Sequence, residues 1–189
     1  GWALRMGLDF LSEDRKEEGL AVQMSVKSNL TLSSLRRFAG RAGGGLLNLR
    51  REDRAVLRWI EELNIRCRGA GQTVADLSGG NQQKVALARI LEKNADIVLL
   101  DEPTRGVDVG SKVEIYQLIG KLAAAGKCVV FISSYLPELL GVCDTLGVMH
   151  RGRLCAVRPV ADWDEHTIMN VATSGEAGTN RGHVAPPAA

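Results

Sequence analysis

The sequence predicts an α/β fold: a parallel sheet covered by helices, with a helical subdomain attached. Three observations carry this. From Asp76 onward, helical segments alternate with short apolar runs. Two of those runs, Ile97-Val98-Leu99-Leu100 and Val129-Val130-Phe131-Ile132, are unbroken, the pattern of strands buried on both faces. Before them, residues 51–63 place Ala55, Val56, Trp59, Ile60 and Leu63 at the spacing of an amphipathic helix.

In chain order, Gly7-Leu8-Asp9-Phe10-Leu11 reads as a strand entering the polar turn Ser12-Glu13-Asp14-Arg15-Lys16. Residues 20–75 read as largely helical, interrupted by a glycine-rich linker at 40–45. Gly40 and Gly45 have phosphate-loop spacing, but Leu46-Leu47 stand where Lys and Ser/Thr are required. Ser78 is placed to cap a helix reaching about Lys93, which extends the helical subdomain to about residue 93. A further helix is expected to start at Ser111 and to end at Gly126. Residues 146–149 and 154–157 flank His150-Arg151-Gly152-Arg153, predicting a closing β-hairpin, and 164–172 predict one last short helix. The Gly-, Pro- and Ala-rich residues 174–189 are expected to be a disordered tail.

Composition narrows the function. The 189 residues, 45% hydrophobic and 24% charged, suffice for one core plus a small subdomain. A formal charge of +2 without a concentrated basic stripe, Arg36-Arg37 and Arg50-Arg51 being too short for a footprint, does not support nucleic-acid binding. Cys67, Cys128, Cys143 and Cys155 lack metal or Cys-x-x-Cys spacing, so a reduced, cytosolic setting is expected. Cys128 and Cys143, in or beside apolar runs, read as small hydrophobes. The apolar runs are far shorter than a membrane span, and no signal peptide is evident. The chain begins with Gly1 and contains no Gly-x-x-x-x-Gly-Lys-[Ser/Thr] loop, which suggests an N-terminally incomplete chain.

Chemistry concentrates in two short stretches. Ser78-Gly79-Gly80 precedes a helix, whose N-terminus offers unpaired backbone N–H groups and a partial positive charge to a phosphate. The glycines allow close approach and Ser78 adds a hydroxyl; alone, the same residues are an ordinary cap and turn. Asp101 and Glu102 close an apolar strand, where one carboxylate can hold Mg²⁺ and the next can orient or deprotonate water. Read alone, they are solvated acids opening a loop. Glu13 can contact Mg²⁺ or the attacking water, or simply belong to a solvated turn. Asp108, in Gly106-Val107-Asp108, either faces a partner domain or caps the next helix. Ser134 either reaches a γ-phosphate or caps the segment Leu136-Pro137-Glu138. The three histidines lack metal spacing.

Leu77-Ser78-Gly79-Gly80-Asn81-Gln82-Gln83-Lys84, followed by Asp101-Glu102-Pro103-Thr104, resembles the signature and acidic strand end of ABC-type ATPases. Asn81-Gln82-Gln83-Lys84 with Arg105-Gly106-Val107-Asp108-Val109 is similar to the ATP-binding subunits of bacterial monosaccharide importers, particularly ribose-type ones. The likeness runs from about Met6 to Ala172 and includes Arg41-Ala42-Gly43-Gly44, Glu114-Ile115-Tyr116-Gln117, Ile132-Ser133-Ser134 and Val148-Met149-His150.

The resemblance implies that residues 1–173 are most of the second of two ATPase domains in one polypeptide, a P-loop NTPase-like domain without its phosphate-loop part. Two such domains would close head to tail on ATP and Mg²⁺. Ser78, Gly79, Gly80, Gln82 and Asp108 would serve the nucleotide held by the facing domain. Asp101 and Glu13 would serve the metal, and Glu102 and Ser134 hydrolysis, for this domain's own nucleotide. Partners implied are the second ATPase domain, membrane permease subunits and, indirectly, a solute-binding protein, at the cytoplasmic face of the inner membrane. Glu13 replaces the family's usual glutamine, Ser134 its switch histidine, and Tyr135 stands where an acid is common. These departures bear on how fast this half turns over ATP. A truncated remnant unable to hydrolyse ATP, and a non-transport ABC ATPase, are the alternatives.

Overall fold

The computed structural model describes residues 7–14, 18–39 and 46–176. The predicted linker at 40–45 and the tail from 177 lie outside them, as do Arg15 and Lys16 of the first polar turn. The chain divides into two compact units, one ending at Ser134 and the other beginning at Tyr135.

The first unit holds a parallel three-stranded sheet in the order β1 (Leu8–Leu11), β2 (Ile97–Asp101), β3 (Cys128–Ile132). Leu11 is in register with Leu100, and Asp101 with Ile132. Between β1 and β2 lie α1 (Val26–Thr31), α2 (Leu35–Phe38), α3 (Leu49–Glu62), a single turn at Val74–Asp76, and α4 (Gly79–Lys93). These helices lie between residues 26 and 93. α5 (Val109–Ala124) connects β2 to β3 as a parallel crossover requires.

Local chemistry fixes these boundaries. Asn48 caps α3 by accepting from the Arg51 N–H at 3.0 Å. Asn94, in the left-handed conformation, ends α4. α5 starts at Val109, two residues before the expected Ser111, because Asp108 takes the cap position and accepts from the Ser111 N–H at 3.0 Å. Lys93 ties the end of α4 to β1, donating to the Leu8 carbonyl at 3.3 Å and pairing with Asp9 at 3.3 Å. Val26, Leu30, Val56, Val74, Val85, Leu100 and Ile115 are buried in this unit. The buried Asn29 keeps its backbone neighbours satisfied: Oδ1 accepts from the Ala21 N–H at 2.8 Å, and Nδ2 donates to the Ala21 carbonyl at 2.9 Å.

One strand departs from expectation. β3 is not buried on both faces: Val130 and Ile132 are 41% and 47% exposed, and Cys128 is exposed too. Among the described residues β3 has a strand neighbour on one edge only, and of its own residues Val129 and Phe131 are half-buried. An unbroken apolar run is buried on both faces only where both faces are covered.

In the second unit, α6 (Leu136–Val142) is followed by the predicted hairpin, β4 (Thr145–His150) against β5 (Arg153–Pro159), antiparallel. Arg151 and Gly152, both at positive φ (45° and 78°), form the tight two-residue turn that suits a hairpin's twist. α7 (Glu165–Ser174) follows, capped by Asp164. Leu146, Val148, Trp163, Ile168 and Val171 make this unit's core.

Candidate functional site

The glycine turn opens a helix of fifteen residues, α4, with Ser78 at the cap position in extended geometry. The Ser78 side chain does not cap the helix; its hydroxyl oxygen accepts from Asn81 Nδ2 at 2.8 Å. Asn81 in turn accepts from the Arg66 N–H through Oδ1 at 2.7 Å. The first N–H groups of α4 are therefore left for another acceptor. A Cβ placed on Gly80 would lie 2.7 Å from Ser111 Oγ and 3.1 Å from Asp108 Oδ2, so only glycine fits there. The turn is thus packed against the cap of α5. Hydrogen bonds from the Ser111 N–H and hydroxyl hold the Asp108 carboxyl below its usual range. Asp108 takes the capping arrangement that the sequence offered as its second reading.

Beneath the turn, Gln82 is buried, and its Nε2 donates to the Val74 carbonyl at 3.1 Å. Gln82 braces the turn from inside. Lys84 is also buried, donating to the Asn64 carbonyl at 3.1 Å and pairing with Glu114. Asn64 Nδ2 donates to the other oxygen of Glu114 at 3.2 Å. Burial alone would raise the Glu114 carboxyl; the hydrogen bonds from Lys84 and Asn64 and the charges of Lys84 and Arg66 outweigh it, and the group is held below its ordinary 4.5. This brace fixes α4 to α5.

A second cluster forms where the three parallel strands end, the edge at which open α/β sheets bind ligands. Asp101 is the last residue of β2, and Glu102 follows in the left-handed region at φ 46°. For a residue with a side chain this conformation is uncommon and costs on the order of 1 kcal/mol or more. The Glu102 N–H donates to the Ile132 carbonyl at 2.9 Å, and the Ser134 N–H donates to Glu102 Oε1 at 2.5 Å. The structure therefore joins Glu102 to Ser134 through that serine's backbone. Ser134 is not the cap of α6, a position held by Tyr135. Glu13, two residues beyond β1, pairs with Arg105 in the loop that follows Glu102. Among the described residues no three His, Cys, Asp or Glu side chains converge on a common point.

The pattern of the ABC transporter family matches residues 3–105. The chain belongs to the ABC transporter family. It is 44% identical over 178 residues to the ribose import ATP-binding protein RbsA of Pseudomonas putida, covering 94% of this chain and 34% of that protein. It is 46% identical over 171 residues to ribose import ATP-binding protein RbsA 3 of Rubrobacter xylanophilus, covering 90% and 34%. The chain thus spans about a third of the length of the curated relatives it matches. Its fold resembles that of a dimeric ATP-binding cassette in a post-hydrolysis state bound to ADP and Pi, with a TM-score of 0.67 at 23% identity, over 81% of this chain and 62% of that one. A second dimeric structure of that same cassette superposes with a TM-score of 0.65 at 25% identity, over 80% of this chain and 62% of that one. The architecture is an α/β ABC ATPase domain with a parallel sheet.

Within this ABC domain, sequence reading singled out Lys84 and Glu114 only as motif members and left Arg105 without a role toward Glu13. All three depend on contacts between residues far apart in the chain. The one available signal was a lysine at position 84 directly before the apolar helical stretch Val85-Ala86-Leu87-Ala88, where an unpaired charge is costly.

Proposed function

We propose that this chain is the energy-coupling ATPase module of a bacterial monosaccharide importer of ribose type, working at the cytoplasmic face of the inner membrane. The observation that carries this reading is the glycine turn at the start of α4, whose Gly80 has room for no side chain beside Asp108 and Ser111. Such a turn offers aligned N–H groups to an anion. In the proposal Ser78, Gly79 and Gly80 grip the γ-phosphate of ATP held by a facing ATPase domain. Gln82 supports them from beneath, and Asp108 helps line the same junction. Permease subunits, and through them a solute-binding protein, are the partners.

At the strand ends, Asp101 would hold Mg²⁺, which needs only one or two protein carboxylates beside substrate phosphates. When bound, the ion neutralises charge on the phosphates. Glu102 is the proposed base that orients and deprotonates water, and the Ser134 N–H fixes its carboxylate at 2.5 Å. Glu13, engaged by Arg105, is the second acid offered to the metal side. That engagement favours a further reading, in which this half donates its glycine turn to the facing domain while turning over its own nucleotide slowly.

The test uses the complete polypeptide reconstituted with its membrane subunits. Glu102→Gln is expected to keep ATP binding while lowering hydrolysis at this half's site about 100-fold or more. ATP-driven uptake of labelled ribose should fall when Ser78 is replaced by Arg, which fills the turn. Wild-type turnover and uptake in both variants would refute the assignment.

A further inference from the structure

We infer that Arg105 is a positioning residue for Glu13: it holds that carboxylate in an ion pair, and Glu13 reaches a divalent cation only by leaving it. This role rests on the reading under which Glu13 and Asp101 serve the metal side of this domain's own nucleotide. Register sets up the problem that Arg105 solves. Leu11 of β1 pairs with Leu100 of β2, and two residues beyond each of them stands a glutamate, Glu13 and Glu102. Neighbouring strands lie about 4.8 Å apart, and like charges carried side by side there are unfavourable. Each acid is drawn to a different partner. The Ser134 N–H donates to Glu102 Oε1 at 2.5 Å, and Arg105 pairs with Glu13. Glu13, Asp101 and Glu102 accordingly do not converge on a common point.

Both partners are anchored through their backbones, so the pair fixes where the Glu13 carboxylate stands. The Arg105 N–H donates to the Glu102 carbonyl at 3.1 Å, Thr104 before it is buried, and Gly106 after it takes φ 66°. On the other side, the Asp14 N–H donates to Ser12 Oγ at 3.3 Å and the Ser12 hydroxyl donates to Glu18 at 2.6 Å. The Asp14 carbonyl accepts from the Glu18 and Gly19 N–H groups, both at 3.0 Å. Glu18 is thereby engaged within its own turn, while Glu13 crosses to Arg105. The strength of the pair suits a latch. Arg105 and Glu13 are 66% and 45% exposed, and such a pair shifts an equilibrium by about two- to fivefold. A divalent cation is the largest local charge in a phosphate site and outcompetes a solvated guanidinium. Arg105 therefore withholds Glu13 without locking it. The effect is weaker cation binding through Glu13 than an unpaired carboxylate would give.

The probe is Fe²⁺ with ADP, bound anaerobically to the complete polypeptide and then treated with ascorbate and hydrogen peroxide, which cuts the backbone beside the bound ion. Mass spectrometry locates the cuts, so residues 101–102 and 12–14 report separately and neither is confused with the facing domain. Wild-type protein should be cut at 101–102 and more weakly at 12–14. Arg105→Gln should raise the cut at 12–14 relative to 101–102, and lower the Fe²⁺ concentration for half-maximal cutting there about two- to fivefold. Arg105→Lys keeps the charge and should restore part of the wild-type pattern. Added to Glu13→Gln, Arg105→Gln should change nothing further, because the carboxylate it acts on is gone. Melting temperatures should stay unchanged, since both side chains are exposed. An unaltered ratio of cuts in Arg105→Gln, with 101–102 still cut, would overturn the role of Arg105 and leave the reading of the metal side standing. So would an effect of Arg105→Gln that persists in the Glu13→Gln background. No cut at 101–102 in any variant would overturn both.

Discussion

Any side chain at position 80 would bring a carbon within 2.7 Å of Ser111 Oγ and 3.1 Å of Asp108 Oδ2, and both belong to the cap that starts α5. Neither group can retreat freely, because Ser111 Oγ is hydrogen-bonded to Asp108 at 2.8 Å and Asp108 also holds the Ser111 N–H. Gly80→Ala should therefore lower stability by about 1–3 kcal/mol, the usual range for overpacking, as a thermal or urea melt would show. Gly120→Ala, within α5, is the control, since a Cβ there meets nothing within 4 Å. Equal melts for the two variants would mean that the close approach is unimportant. Glu102 poses the opposite case. Its left-handed backbone would suit glycine, so Glu102→Gly should hold or raise stability while removing the carboxylate that Ser134 fixes. A residue kept where glycine would sit more easily marks a position held for its chemistry.

Between elements, the Lys84–Glu114–Asn64 brace is where pH enters. Glu114 is held below its ordinary 4.5, so above that value it is ionised in both folded and unfolded chains and its stabilisation is fully present. As pH falls below 4.5 the unfolded chain takes up the proton first, and the contribution is lost as pH drops through the lowered folded value. Lys84→Met should remove the pair and flatten that acid limb, which urea melts between pH 6 and the acid limit, about 3, can follow. With Glu114 only partly screened from water, the loss at neutral pH should be about 1 kcal/mol. The sequence showed α4, β2 and the glycine turn because each is written in a few consecutive residues: Ser78-Gly79-Gly80, and Ile97 to Leu100 ending on Asp101-Glu102. It could not show that Glu114 meets Lys84, that Arg105 meets Glu13, or that the Ser134 N–H meets Glu102. Those pairs are thirty or more residues apart, and no periodicity encodes them. The start of α5 was misplaced by two residues for a related reason: Asp108 and Ser111 both suit a cap, and only the backbone geometry chooses between them.

At the scale of the molecule, the open face of β3 is the main departure from a fully covered sheet, and one free cysteine, Cys128, reports on it. Cys128, at the start of β3, is exposed, whereas Cys143 is half-buried at the end of α6, in the other compact unit. Burial pushes the Cys143 thiol up, and the nearby Asp144 charge pushes it further, so less of it is thiolate at a given pH. Thiolate is the reactive form, and access governs how often reagent meets it. A maleimide or a disulfide reagent at pH 7.5–8 should therefore modify Cys128 first and Cys143 late, with the gap narrowing as pH rises toward the thiol's raised pKa. Mass spectrometry of peptides from a quenched time course reads the order directly. If Cys128 proved as slow as Cys143, the outer face of β3 would be covered in solution, and Val130 and Ile132 would be covered with it. The same series on the complete polypeptide would show whether β3 gains a neighbour there, because Cys128 would then fall from first to last while Cys143 kept its rate.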